Sequence, residues 1–358
     1  MVIGISPILF SLQGNHLGGG LSNYIHNPTF WSFANFDGEH YISIATYGYK
    51  PLQYFFFPLY PYLIGALSLT KSMFGIVLTG QIISNTLFFV SLIGLWKLVR
   101  LDYQSKIANL VVILLLIFPT SFYFAAVYTE SLFLALVVWS FYFSRKKNFL
   151  LTSILAGLAS ATRIIGVIML PVLFIEWFQQ DKKDRSLKQL AFLGLSGLGI
   201  VAYMFYLHMH TGNALEFKTS LEYVYGEQRS DALVLLPQVI YRYIFKILPS
   251  MNWSYFAGSF SLLLEFMSGI LFLILSIISF FKLRKSYAAY LIAGYLIPTL
   301  SGSFSSMSRY VLVLFPGFIL MAIYVEKLPQ NTRYTLYIAM IVCLAIATAL
   351  FSRGYWIA

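Results

Sequence analysis

Long apolar runs, each closed by a short cluster of Lys and Arg, recur from one end of this chain to the other and restrict it to one environment. With 59% hydrophobic and 10% charged residues over 358 positions, the chain carries more apolar surface than a soluble core absorbs. It is therefore read as an all-α polytopic membrane protein. Aromatic residues make up 18%, more than two interfacial belts require, which points to a wide cavity or interface lined by rings. The net charge of +11 is scattered between the apolar runs, a pattern that sets membrane orientation and excludes a nucleic-acid partner. Cys343 stands alone in the last apolar run, so neither an intrachain disulfide nor a thiolate metal site is available.

The basic clusters are Lys97/Arg100/Lys106, Arg145/Lys146/Lys147, Lys182/Lys183/Arg185/Lys188, Lys282/Arg284/Lys285 and Lys327/Arg333. If all five face the cytoplasm, an even number of crossings separates each neighbouring pair. Between Lys147 and Lys182 lies one run of about 30 apolar residues, too long for one span of roughly 20. It is read as two short helices, 149–161 and 164–178, turning on the outer side at Arg163. By the same parity, 107–144 holds an outward helix, an outer turn at Tyr128-Thr129-Glu130 and an inward helix. Runs 189–207 and 257–281 flank a second large outer loop, 208–256, and 287–300 and 310–325 flank the short outer loop Ser301 to Arg309. Segment 334–351 is the last span, so the C-terminus is expected outside. Because 76–97 already runs inward, residues 55–73, with Pro58 and Pro61, are expected to lie on the outer surface, the alternative being an ordinary span with the first loop inside. Residues 13–75 then form the first extracytoplasmic loop. Residues 2–12 supply only about 16 Å of helix, so the start reads as truncated, and no basic segment marks a cleaved signal peptide. Neither repeats nor low-complexity linkers break the chain, which is expected to form one membrane domain, 1–358, of about eleven transmembrane helices.

Ionisable side chains are costly beside apolar segments, and those that remain are functional candidates. They collect on the outer side: Asp37, Glu39, His40, Glu130, Arg163, His208, His210, Glu216, Glu222, Glu227, Arg229, Asp231 and Arg309. Any active site is therefore expected to be extracytoplasmic. Asp37 precedes a glycine at the start of a helical pattern, where a carboxylate serves either as an N-cap or as a base taking a proton from an attacking hydroxyl. Asp37 and Glu39, with His40 next door, also form a D-x-E pair, which is weak grounds for a divalent metal; no metal and no cofactor is expected. Glu130 opens an inward helix, where it either favours the helix dipole or acts in a site. Glu265 lies inside an apolar span and needs a partner.

The segment Phe36-Asp-Gly-Glu-His-Tyr41, continuing to Tyr49, is followed by Phe55-Phe-Phe-Pro-Leu-Tyr-Pro61. Further along come Phe118-Pro to Phe133, Ala161-Thr-Arg-Ile-Ile-Gly166, Ser308-Arg-Tyr310 and Phe315-Pro316. In this order, across residues 36–316, these blocks resemble the PIG-V type mannosyltransferases, the family of GPI mannosyltransferase 2 and its prokaryotic relatives. The resemblance implies a GT-C glycosyltransferase fold whose first outer loop bears the catalytic acid and carries juxtamembrane helices. It further implies a polyprenyl-phosphate sugar as donor, a lipid-linked or glycan acceptor, and transfer of a mannose-like hexose. The absence of a Gly-rich phosphate loop agrees with a lipid-borne donor. Asp37 is then the base, and single displacement assisted by one carboxylate implies inversion. Arg163 and Arg309 are the expected phosphate ligands, since a guanidinium binds phosphate oxygens bidentately; helix-end snorkelling is their plain alternative. Glu39, His40 and Glu130 are expected in support, with Tyr128 and Tyr310 as candidates against sugar or donor, although ordinary aromatic packing is the stronger reading for both tyrosines. The expected location is the cytoplasmic membrane, or the endoplasmic reticulum membrane in a eukaryote. No protein partner is legible.

Two other classes place charges between helices. A transporter or lipid flippase predicts paired interrupted helices in two matching halves, a symmetry this sequence lacks. An acyltransferase needs a His base with an apolar acyl channel, and the five histidines here have no such context.

Overall fold

The computed structural model describes residues 2–225 and 233–357, and every regular element among them is helical. Short helices come first: α1 (Val2–Leu9), α2 (Gly20–His26), α3 (Pro28–Trp31), α4 (Asp37–Tyr47) and α5 (Leu59–Leu67). The middle of the chain forms α6 (Met73–Val99), α7 (Ser105–Ile117), α8 (Glu130–Arg145), α9 (Phe149–Ser160), α10 (Met169–Phe178), α11 (Leu187–Leu193) and α12 (Leu198–Thr211). After α13 (Glu216–Tyr225) and α14 (Leu236–Arg242) come α15 (Phe256–Lys282), α16 (Lys285–Thr299), α17 (Met307–Tyr310), α18 (Phe315–Glu326) and α19 (Gln330–Ser352). Glu227, Arg229 and Asp231 lie outside the described residues.

Four helical stretches among the described residues are long and apolar enough to cross a bilayer: α6, Leu187–Thr211 (α11 and α12 joined), α15 and α19. The pair α17–α18, bent by 87°, qualifies as a fifth if counted as one span. The expected count of about eleven is thus not reached by spanning-length helices. The other apolar segments, α7, α8, α9, Ile164–Phe178 and α16, run 12 to 16 residues. At 1.5 Å per residue they cover roughly 18–24 Å, short of a hydrocarbon core of about 30 Å. Polar and proline-bearing turns cut these runs. Phe118-Pro119-Thr120 ends α7, Arg163 stands in extended backbone between α9 and α10, and Pro298 closes α16.

Residues 55–73 contain a single helix, α5, of 9 residues, about 14 Å long, and it cannot cross a bilayer. Pro58 sits at its N-cap position, Pro61 is tolerated in its first turn, and Ser72 already caps α6 by accepting from the Gly75 amide at 3.1 Å. Buried Tyr60 holds α5 to α6 through a 2.7 Å hydrogen bond with Ser84. The Leu59 amide donates to the Ala161 carbonyl at 3.1 Å, which fastens the Phe55–Phe57 segment to the turn carrying Arg163.

Helix α8 sits at the centre of the bundle, packed against α6 and α9, and is buried on every side over residues 130–138. It carries charge only at its ends. At one end is Glu130; at the other Arg145 forks onto Asp102 at 2.6 and 2.7 Å and donates to the Tyr287 hydroxyl at 3.1 Å. Glu176 of α10, fully buried, accepts there from Arg284 at 2.8 Å and from Ser286. That clamp joins the ends of α8, α10 and α16 about 22 Å from Glu130, at 1.5 Å of rise per residue.

Candidate active site

Asp37 is the first residue of α4, and the turn before it is tightly held. Buried Asn35 accepts from the Gly18 amide at 2.9 Å, donates to the Phe351 carbonyl at 3.0 Å, and its own carbonyl accepts from the Tyr128 hydroxyl at 2.9 Å. A Cβ on Gly18 would fall 2.5 Å from the Ala34 backbone, so only glycine lets the 14–20 loop approach so closely. Phe36 adopts φ 55°, ψ −117°, a strained conformation for a side-chain-bearing residue, enclosed by the rings of His16, Phe351 and Trp356. Such strain, held in place by surrounding contacts, aims the next residue. The N-cap reading of Asp37 does not hold: Phe36 occupies the cap position, no side chain caps α4, and the Asp37 carboxylate turns to Arg309.

Four charges from four separate elements meet there. Arg163 Nη1 donates to Glu130 Oε1 at 2.6 Å; the same oxygen lies 3.3 Å from Arg309 Nε; and Arg309 Nη1 donates to Asp37 Oδ2 at 2.7 Å. The side chains are 11%, 0%, 10% and 10% exposed along this Arg163–Glu130–Arg309–Asp37 row, so its charges are balanced against one another rather than by water. Glu130 opens α8 at a fully buried position, with Oε2 free of hydrogen bonds. Arg309 lies among the rings of Tyr123, Tyr128 and Tyr310, 5.4–5.7 Å from their centroids, and Arg163 lies 5.5 Å from that of Tyr310. The partner that Glu265 requires is the turn before α17. Its Oε1 accepts from the Ser306 amide at 2.9 Å, where Ser306 adopts φ 62°, and so anchors the backbone that presents Arg309.

The row opens into a cavity of about 390 Å³ lined by Asp37, Arg163, Arg309 and Tyr310, but not by Glu130, which lies behind the two guanidiniums. Aromatic and apolar groups complete the wall: Phe55, Phe56 and Phe57 before α5, Phe217 and Leu221 of α13, and Trp356 near the C-terminus. Lys218 of α13 also lines it.

The remaining sequence candidates divide. His40 does not line the cavity; its Nδ1 lies 3.2 Å from Gln53 Nε2 and its ring stacks on Phe56 at 4.7 Å, which places it behind the phenylalanine segment. Burial lowers the His40 pKa against an opposing pull from Asp37, and a neutral imidazole accepts from Gln53. Glu39 also stays out of the cavity, 3.8 Å from His16, and burial pushes its carboxyl up to about 7. The two carboxylates of the D-x-E pair thus part company, and no group of three metal-ligating side chains occurs among the described residues. Tyr128 does not line the cavity: it is 1% exposed, its hydroxyl donates to the Asn35 carbonyl, and its ring lies 5.4 Å from the Arg309 guanidinium. His208 and His210 close α12 away from the cavity. Lys218 and Trp356 escaped sequence reasoning, since one lysine in a polar loop and one tryptophan near a terminus carry no local signal.

Fold and geometry define a many-helix membrane protein with a charged, aromatic-walled cavity. The chain belongs to the mannosyltransferase (PIG-V) family, whose sequence model matches residues 17–247. No curated protein matches the chain by sequence. Among solved structures it is similar to the Archaeoglobus fulgidus oligosaccharyltransferase tethered with an acceptor peptide, with 12% identity, a TM-score of 0.49 and coverage of 99% of this chain and 54% of that one. It is also similar to the archaeal oligosaccharyltransferase AglB from Archaeoglobus fulgidus in complex with an inhibitory peptide and a dolichol-phosphate, at 12% identity and a TM-score of 0.44, over 99% and 55% of the two chains. The chain therefore spans about half the length of these structures.

Proposed function

We propose that this protein is an inverting GT-C glycosyltransferase that moves a hexose, mannose by its family, from a polyprenyl-phosphate donor to a hydroxyl of a lipid-linked or glycan acceptor on the extracytoplasmic side of the membrane. The observation that carries this reading is the neutral row Arg163–Glu130–Arg309–Asp37 at the wall of an aromatic cavity. A cavity whose wall includes several aromatic rings suits a sugar on an isoprenoid anchor, and each of Arg163 and Arg309 keeps at least one guanidinium nitrogen outside the row.

In this mechanism Asp37 takes the proton of the acceptor hydroxyl as that oxygen bonds to the anomeric carbon and the bond from that carbon to the phosphate oxygen breaks. The products are the glycosylated acceptor and a polyprenyl phosphate carrying one more negative charge than the donor. Protonation neutralises Asp37 and leaves the row, with Glu130 shared between Arg163 and Arg309, one positive charge in excess at Arg309 just as the departing phosphate gains a negative one. The guanidinium then stabilises the leaving group without moving far, a preorganised electrostatic contribution. Glu130 keeps Arg163 and Arg309 oriented and prevents two buried cations from repelling each other. No step draws on a metal ion.

The test is mannose transfer from radiolabelled polyprenyl-phosphate mannose by purified protein supplied with membrane lipids. Asp37→Asn is expected to lower turnover by about 10²–10⁴-fold while donor binding persists, the range of lost general-base catalysis. Retention of more than about a tenth of turnover would remove Asp37 from the role of base. Loss of wild-type activity on chelation, restored by a divalent ion, would overturn the metal-free mechanism.

A further inference from the structure

The buried row is neutral as a whole, two guanidiniums against two carboxylates, whereas a polyprenyl-phosphate sugar is a phosphodiester with one negative charge. A donor entering this cavity therefore brings a charge that the row does not match until Asp37 is protonated. The cavity has one further lining cation among the described residues, Lys218. Its partner Glu222, one helical turn along at 3.1 Å, holds it loosely. The two side chains are 63% and 36% exposed, and such wet pairs are weak.

Helix α13, which carries Lys218, presents two kinds of chemistry to the same space. Phe217 and Leu221 line the cavity on either side of the lysine in sequence, and Phe217 packs its ring against Phe57 at 5.6 Å. Tyr223 is exposed, so α13 has one face against the cavity and another turned away from the bundle. A cation flanked by apolar side chains complements a phosphate joined to an isoprenoid chain, because the charge and the first apolar units of such a lipid are neighbours too.

We infer that Lys218 is the counter-charge of the donor phosphate before transfer, and that Phe217 and Leu221 hold the adjoining isoprenoid units, so that α13 clamps the lipid-phosphate end of the donor. This assignment rests on the donor class proposed above. It divides the cations by stage: Lys218 meets the charge the donor brings, and Arg309 the charge that transfer creates.

The test uses the full chain in nanodiscs and tritiated polyprenyl phosphate, the reaction product, so that binding is read without chemistry. Lys218→Gln is expected to weaken binding by about tenfold or more, the loss of one charge-assisted contact, and to raise donor KM rather than lower kcat. Lys218→Arg is expected to restore binding. Glu222→Gln, which frees the lysine from its helical partner, is expected to bind as tightly as wild type or tighter. Wild-type binding by Lys218→Gln overturns the inference, as does equal weakening by Glu222→Gln, which would make the lysine a support for α13. Failure of the wild-type protein to bind polyprenyl phosphate overturns the donor class itself, and this inference with it.

Discussion

A carboxylate does not survive in a bundle of this kind without a reason, and Glu130 has two: one oxygen receives Arg163 and lies beside Arg309, and both guanidiniums depend on it. Removing one member of a buried ion set costs more than the set contributes, because the survivors are left unpaired. Glu130→Gln is therefore expected to destabilise the protein by about 3–5 kcal/mol, read by thermal unfolding in detergent. Adding Arg163→Gln to it is expected to recover part of the stability and none of the activity, a non-additivity that marks direct coupling. Outside the row, Glu39 supplies a pH dependence. Its folded pKa lies about 7 against an ordinary 4.5, so the folded state holds a proton that the unfolded chain releases. Its contribution to stability is full below about 4.5 and is lost as pH rises through about 7. Glu39→Gln is expected to flatten unfolding temperature across that window, and an unchanged slope would assign the dependence elsewhere.

At the scale of elements, the first loop shows how short helices position a site without crossing anything. Asp37 is aimed by the turn before α4, and the Phe55–Phe57 wall is braced by His40 behind it and by the Leu59 amide on the Arg163 turn. Nothing in 37–67 is long enough to span, and the two ends of the segment are proposed to share one side of the membrane. Cysteines at exposed Lys50 and Ser72, in a Cys343→Ala background, are expected to react with an impermeant thiol reagent added from the outer side. Labelling from opposite sides would turn α5 into part of a span and move the cavity's first loop inside.

For the whole molecule, α8 works as a strut with a charged fixture at each end. The far fixture, Arg145 with Asp102, Glu176, Arg284 and Tyr287, holds four segments together and has no proposed contact with substrate. Glu176→Gln keeps the shape but leaves Arg284 facing a neutral amide. It is expected to lower thermal stability while donor KM stays at the wild-type value. A selective rise in donor KM would show that the two ends of α8 are coupled rather than merely joined.

The membrane class, the short helices turning at Arg163, the turn before Glu130 and the candidacy of Asp37, Arg163 and Arg309 were all legible in the chain. Charges and prolines interrupting apolar runs are expensive, and their positions mark turns and sites directly. Pairing was not legible. Asp37 meets Arg309 across 272 positions, Glu265 finds the Ser306 amide across 41, and Trp356 returns from the end of the chain to the cavity that Asp37 opens. Nor did hydropathy settle the number of crossings, since it measures how apolar a run is and not how far its helix extends before a turn. The linear pattern states which groups are too costly to leave in lipid; only packing in three dimensions decides which opposite charge each one meets.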